Sequence, residues 1–212
     1  MRSFVLIATL MLLSMFQAGC ATTVIPPVRP HDPVTVYLTD YGRHSSIIIP
    51  SLKGGYDEWA FGDWEFFALG HTQMWIAIRA MLHSPQATLG RRHIDNAAAV
   101  SQESLMKALG DCRRLMKFDA SRLRADALEL ELDTQFRNAS MTPLQSKYSN
   151  LSHVKDPQPY WVLHNCNHVT AHWLRRLGCE VCGPAIYSNF KLSELSPQPQ
   201  ASSTSQPTTQ KK

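Results

Sequence analysis

The chain has 212 residues, 44% of them apolar, and carries 21 Lys and Arg against 17 Asp and Glu, a net charge of +4. That is enough chain and enough apolar content for one ordinary domain with a real core. The basic excess is small, and no basic run is interleaved with aromatics, which argues against a nucleic-acid partner.

Residues 1–19 read as a signal peptide: Arg2, then an apolar run from Phe4 to Met15, then the small pair Ala18-Gly19 before Cys20. The run is short for a membrane span. Ala18-Gly19-Cys20 resembles the bacterial lipoprotein box, although Gln17 stands where an aliphatic residue is usual. The resemblance implies a lipidated Cys20 and stable membrane attachment through more than one inserted chain. Ala21, in place of an acidic residue, implies an envelope protein held on the outer membrane and facing the periplasm. Residues 20–33 carry four prolines and read as a lipidated N-terminus followed by an extended tether.

The domain is expected over 34–194. Val34 to Thr39 alternates and is rich in β-branched residues, a strand; Asp40-Tyr-Gly-Arg is a turn; Ser45 to Pro50 is a strand buried on both faces. Tyr56 to Phe67, dense in aromatics, reads as a third strand, and Gln73 to Leu82 as a short helix. Ala97 to Val100 is a weak strand. Ser101 caps a helix whose Leu105, Leu109, Cys112 and Met116 keep a 3.6 period. Residues 122–137 are ambiguous between alternation and helical composition. Residues 195–212, rich in Pro, Ser, Thr and Gln, read as a disordered tail. Strands, a helix, then a strand and a last helix give an α+β class, an antiparallel sheet with packed helices.

The chemistry concentrates in Trp161 to Gly178. A short strand over Tyr160 to His164 runs into a helix with Asn165 as N-cap and Cys166 in the first turn. Val169, Trp173 and Leu177 share one face, and Arg175, Arg176 and Gly178 mark the end. A thiol at a helix start sits among unpaired amides and the positive end of the dipole, which is expected to lower its pKa and make it a nucleophile. Backbone amides near Cys166 and Asn167 are candidates for an oxyanion hole. The alternative fates of Cys166 are a small buried hydrophobe or half of a disulfide.

His164, His168 and His172 allow a metal reading, since His168 and His172 stand at i, i+4, but no Glu follows His168 as in the zinc-peptidase helix pattern. No metal or other cofactor is expected on the favoured reading. Cys179-Glu-Val-Cys182 has redox spacing but follows a helix, so a structural disulfide is expected instead of a thioredoxin-like site.

Three islands carry a resemblance: Tyr41-Gly-Arg-His44-Ser-Ser, Glu58-Trp-Ala-Phe-Gly-Asp63, and His164-Asn-Cys166-Asn-His-Val-Thr-Ala. They resemble the Gly-Trp-His-Thr-Gly-like, Glu-Phe-Gly-Trp-Gly-Asp-like and Asn-Thr-Cys-Asn-Thr-Trp-like elements of a bacterial envelope-protein family of unknown function. The order His, acid, Cys is similar to circularly permuted papain-like hydrolases of the NlpC superfamily. The resemblance implies His44 as base, Cys166 as nucleophile, and Glu58 or Asp63 as the group that orients the imidazole. Arg43, Ser46 and His168 depart from the family pattern. Glu58 and Asp63 are five positions apart, so in an unbroken strand only one faces His44, and Glu58 is favoured.

Three readings follow from the sequence. The first is an envelope lipoprotein acting as a thiol hydrolase or acyltransferase on an amide or ester, with a cell-wall peptide or a lipid acyl group as substrate. The second is a catalytically silent binding or scaffold lipoprotein. The third is a His/Cys metal-binding lipoprotein.

Overall fold

The structure is a computed structural model that describes residues 21–95 and 101–193. The signal segment, Cys20, the weak strand at 97–100 and the tail lie outside the described residues.

The chain is mixed α+β and is built on a seven-stranded antiparallel sheet. Its strands are β2 (Pro33–Asp40), β3 (Ser45–Pro50), β4 (Tyr56–Asp63), β5 (Ala87–Ile94), β6 (Arg114–Ser121), β7 (Leu144–Gln145) and β8 (Ser152–Asp156), in the order β6-β2-β3-β4-β5-β8-β7. β1 (Thr22–Ile25), β9 (Glu180–Cys182) and β10 (Phe190–Leu192) form a separate sheet in the order β10-β1-β9. The expected tether therefore begins with a strand: Thr22 and Val24 are fully buried, and β1 pairs on both edges. The β-branched run Thr-Thr-Val-Ile outweighs the prolines that follow it.

The helices are α1 (Met74–His83), α2 (Gln102–Leu109), α3 (Arg122–Arg137) and α4 (Cys166–Arg176). None of the described helices is long and apolar enough to cross a membrane. The helix expected through Met116 stops early. Gly110 takes φ +73, a left-handed stop, and Arg114–Ser121 pairs with β2 as an edge strand. The ambiguous segment is α3, with Ala125, Leu128, Leu132 and Phe136 as its buried stripe. The third strand also ends before Phe67, because Trp64–Ala68 winds into a π-helical turn capped by Asp63. Tyr160 to His164 makes only isolated bridges, Ser84 to Tyr160 and Trp161 to His164, and is not a strand.

Side-chain alternation splits the sheet into two faces. Ile47, Ile49, Trp59, Phe61, Leu89 and Val154 join the main core. α4 packs on β3 and β4, and α3 packs on β3, β2 and β6. On the opposite face a smaller core gathers Tyr37, Ile48, Ile94, Leu105, Leu109 and Leu115 under α2. Ser45 ties α4 to the end of β3: its Oγ donates to Asn167 Oδ1 at 2.8 Å, and its carbonyl accepts from Thr170 Oγ1 at 3.2 Å. These two bonds fix which face of the sheet the start of α4 sees.

Candidate active site

Cys166 is the first residue of α4. Asn165 holds an extended conformation, and its Oδ1 accepts from the amides of Asn167 at 2.9 Å and His168 at 3.1 Å. Trp173, Leu174 and Leu177 bury the helix in the main core, and Gly178 ends it at φ +96. The Cys166 thiol lies 3.9 Å from the Tyr160 hydroxyl and 3.9 Å from the Arg43 carbonyl. It opens into a cavity of about 410 Å³ lined by Arg43, Asp63, Phe66, Phe67, Tyr160 and Tyr187 among others.

The thiol is 2% exposed, and burial pushes its pKa up to about 11. The Tyr160 hydroxyl and nearby amides pull it down, yet desolvation outweighs them. The expected depressed pKa is thus reversed in this arrangement: burying the thiolate costs more than the amides of the helix start and the Tyr160 hydroxyl return.

His44 precedes β3 and lies against Tyr41 and Phe67, with ring centroids 6.1 and 4.7 Å away. Its Nδ1 is buried without a hydrogen-bond partner, and burial pushes its pKa down to about 4. The ring lines a second cavity of about 400 Å³ with Tyr41, Phe66, Phe67, Tyr148 and His153. His153 is held by Thr88 Oγ1 at 3.2 Å and Ser149 Oγ at 2.9 Å; burial first, then proximity to His44, lowers its pKa to about 4. A Cβ at Gly90 would sit 2.9 Å from the His153 ring, so only glycine permits this approach.

His44 and Cys166 therefore line different cavities and share no hydrogen bond. Ser45 points at α4, whereas the ring of His44, just before β3, lies against Tyr41 and Phe67 in the cavity that also holds His153. Phe66 and Phe67 line both cavities and form the wall between them. Gly62 lets Phe67 lie flat against β4, where a Cβ would run into the ring.

The two acids also divide between the faces. Glu58, fully buried, accepts from the Tyr41 hydroxyl at 2.7 Å, Ser46 Oγ at 2.6 Å and Arg92 Nε at 2.8 Å, with a further bond from Arg92 Nη2. It has no contact with the imidazole and reaches His44 only through the Tyr41 ring. Asp63 takes the Phe66 amide on Oδ1 at 2.8 Å, while its Oδ2 is buried without a partner beside the Cys166 cavity.

The Asn167 amide is consumed by the Asn165 cap. Its side chain is spent on Ser45 and on the Ile186 carbonyl at 3.0 Å, so Asn167 holds structure instead of an oxyanion. Sequence reasoning missed Tyr160. Its hydroxyl lies 3.9 Å from the thiol, and burial holds it protonated, with a pKa well above the usual value. A tyrosine six residues before the cysteine, in an otherwise apolar approach, is the only signal the sequence offers for it.

The three histidines are not brought together as ligands. His164 Nδ1 bonds the Pro159 carbonyl at 2.8 Å, His168 Nδ1 bonds Asn165 Oδ1 at 3.1 Å, and His172 is exposed. Among the described residues no group of three His, Cys, Asp or Glu side chains is placed to hold a metal ion. The expected Cys179–Cys182 disulfide is corrected as well: both thiols are free. The chain is extended there, Cys179 and Val181 point inward and Cys182 outward, so the i, i+3 spacing puts the sulfurs on opposite faces.

No known protein family, no curated relative and no solved structure matches the chain.

Proposed function

We propose that the chain is an envelope lipoprotein with a permuted papain-like domain, a thiol hydrolase or acyltransferase acting on an amide or ester through Cys166. The observation that carries this reading is the cavity itself. It presents a thiol at the start of a capped helix, the Tyr160 hydroxyl beside it, and a neutral imidazole behind a wall of two aromatic rings. The resting state is closed, and catalysis requires Phe67 to move aside.

With the wall open, His44 accepts the thiol proton and the sulfur attacks the carbonyl carbon, forming the C–S bond. The oxyanion takes the Tyr160 O–H and the Cys166 N–H, which the Asn165 cap does not use. The imidazolium then gives its proton to the leaving nitrogen or oxygen as the C–N or C–O bond breaks. Water, or another acceptor, cleaves the thioester, with His44 as base, and restores the thiol. Cell-wall peptides and lipid acyl groups are the nearest substrates for a protein lipidated at Cys20 and facing the periplasm. β1 starts two residues after that cysteine, so the domain sits directly on its anchor.

Incubation with p-nitrophenyl acetate tests the chemistry: an acetyl group should appear on Cys166 in the intact mass and vanish in Cys166→Ser and His44→Ala. A second reading, a silent binding lipoprotein, is favoured by the neutral resting states of His44 and Cys166 and their separate cavities. It is the correct one if neither the native chain nor Phe67→Ala is acylated.

A further inference from the structure

Asp63 Oδ2 has no use in the chemistry above. The residue is 1% exposed, and this oxygen is buried with no hydrogen-bond partner. Its twin oxygen is engaged by the Phe66 amide, so the carboxyl group cannot turn away. It lines the cavity that holds the Cys166 thiol, and the remaining walls include the rings of Phe66, Phe67, Tyr160 and Tyr187. Arg43 borders the same cavity but is exposed and makes no ion pair with Asp63 among the described residues. A buried carboxylate oxygen left without a partner is costly, and a positively charged N–H donor is the group that relieves it. Aromatic faces around such a site also attract a cation.

We propose that Asp63 is the docking point for an ammonium group, so that the molecule entering the Cys166 cavity is a primary amine or a free amino terminus close to the bond attacked. This rests on the reading of Cys166 as nucleophile, but the site itself is a binding site and is tested as one. Asp63 is a specificity residue here; it neither touches His44 nor bonds the thiol.

Isoamylammonium and isoamyl alcohol share one carbon skeleton and differ in the ammonium. Titration calorimetry of each into the full-length mature chain, at pH 7, should show the ammonium binding at least tenfold more tightly than the alcohol, in the native protein and in Cys166→Ser alike. Asp63→Asn keeps an oxygen acceptor for the Phe66 amide and should cut that preference below twofold. Asp63→Ser, which also caps the turn, gives the same answer if the first variant folds poorly. Equal affinity for amine and alcohol in the native chain overturns the proposal, as does a preference that survives in both variants. Acetylation of Cys166 by p-nitrophenyl acetate reports separately on the nucleophile. If acetylation occurs without an ammonium preference, the ammonium site is wrong and the enzyme stands. If the preference is found and removed by Asp63→Asn without acetylation, the site stands and the nucleophile reading fails.

Discussion

Phe67 is the residue whose removal separates the closed resting state from an inert one. Its ring lies tilted against His44, centroids 4.7 Å apart, and borders both cavities, of about 400 and 410 Å³. With the wall in place the thiol pKa of about 11 stands two units above the ordinary 9.0, so at pH 7.5 the thiolate is about a hundredfold scarcer than in an unperturbed cysteine. Iodoacetamide should therefore alkylate native Cys166 slowly, with a rate that climbs about tenfold per pH unit up to pH 10. Phe67→Ala should join the cavities and let His44 take the proton, raising the pH 7.5 rate by about 30- to 100-fold and moving the profile to lower pH. His44→Ala in the same background should cancel most of that gain, which mere solvent entry would not do. Deleting a fully buried phenylalanine costs about 3–5 kcal/mol, and half-buried Phe67 roughly half of that, so the variant should stay folded. Phe67→Leu is the control that keeps the wall. The measurement is peptide-resolved alkylation by mass spectrometry against pH. Native Cys166 reacting readily at pH 6, or a folded Phe67→Ala with an unchanged profile, would refute the reasoning.

Glu58→Gln should destabilise the chain by about 3 kcal/mol in chemical denaturation, because it leaves the Arg92 guanidinium in a mostly buried site without its carboxylate; a shift under 1 kcal/mol would show that the pair is solvated. On α3, burial and its hydrogen bond with Asp57 raise Glu129, while Arg91 and its neighbours hold Asp57 low. A carboxyl raised in the folded state gives stability that is complete below its unfolded value of 4.5 and is lost as pH rises through about 8. Glu129→Gln should therefore flatten the fall in denaturation midpoint between pH 5 and about 8.5, and an unchanged slope would contradict it. The native protein should carry no bridge between Cys179 and Cys182, and exposed Cys182 should be the first thiol to react with iodoacetamide under non-reducing conditions; a two-dalton mass gain on reduction would show the bridge instead. Cys20→Ser should release the protein from membranes or leave it unprocessed, and normal cleavage with full membrane retention would remove the lipid anchor from this account.

What the sequence makes legible is local. α4 could be read to within a residue because it carries its own signals: an Asn cap, an apolar face at 3.6 spacing, basic residues in the last turn and a glycine after it. β2 and β3 were legible for the same reason, their β-branched runs ending at a Gly turn. β5 and β8 were not, because Thr88, Arg91, Arg92, His93 and His153 are inward or ladder positions that a polarity pattern assigns to loops. Their polar groups are satisfied by partners far away in the chain, such as Arg91 on Asp57 and Asp133, or His153 on Thr88 and Ser149. The candidate site shows the same limit more sharply. The order His44 before Cys166 is visible in the sequence, and so is the helix start that frames the thiol. Whether the two meet does not follow from that order: Ser45 is bonded to Asn167 on α4, while His44 lines the neighbouring cavity. A strand period of two converts a single-residue offset into opposite faces of a sheet, and no motif spacing carries that information. Where the π-helical turn interrupts β4 after Asp63, Phe66 and Phe67 fold back over the sheet end and border both faces at once. An extra residue per turn is a costly local geometry, and such turns persist where their displaced side chains have a use. Here the displaced side chains, Phe66 and Phe67, border the cavities of both His44 and Cys166, and on the proposed reading the ring of Phe67 is the part that must yield.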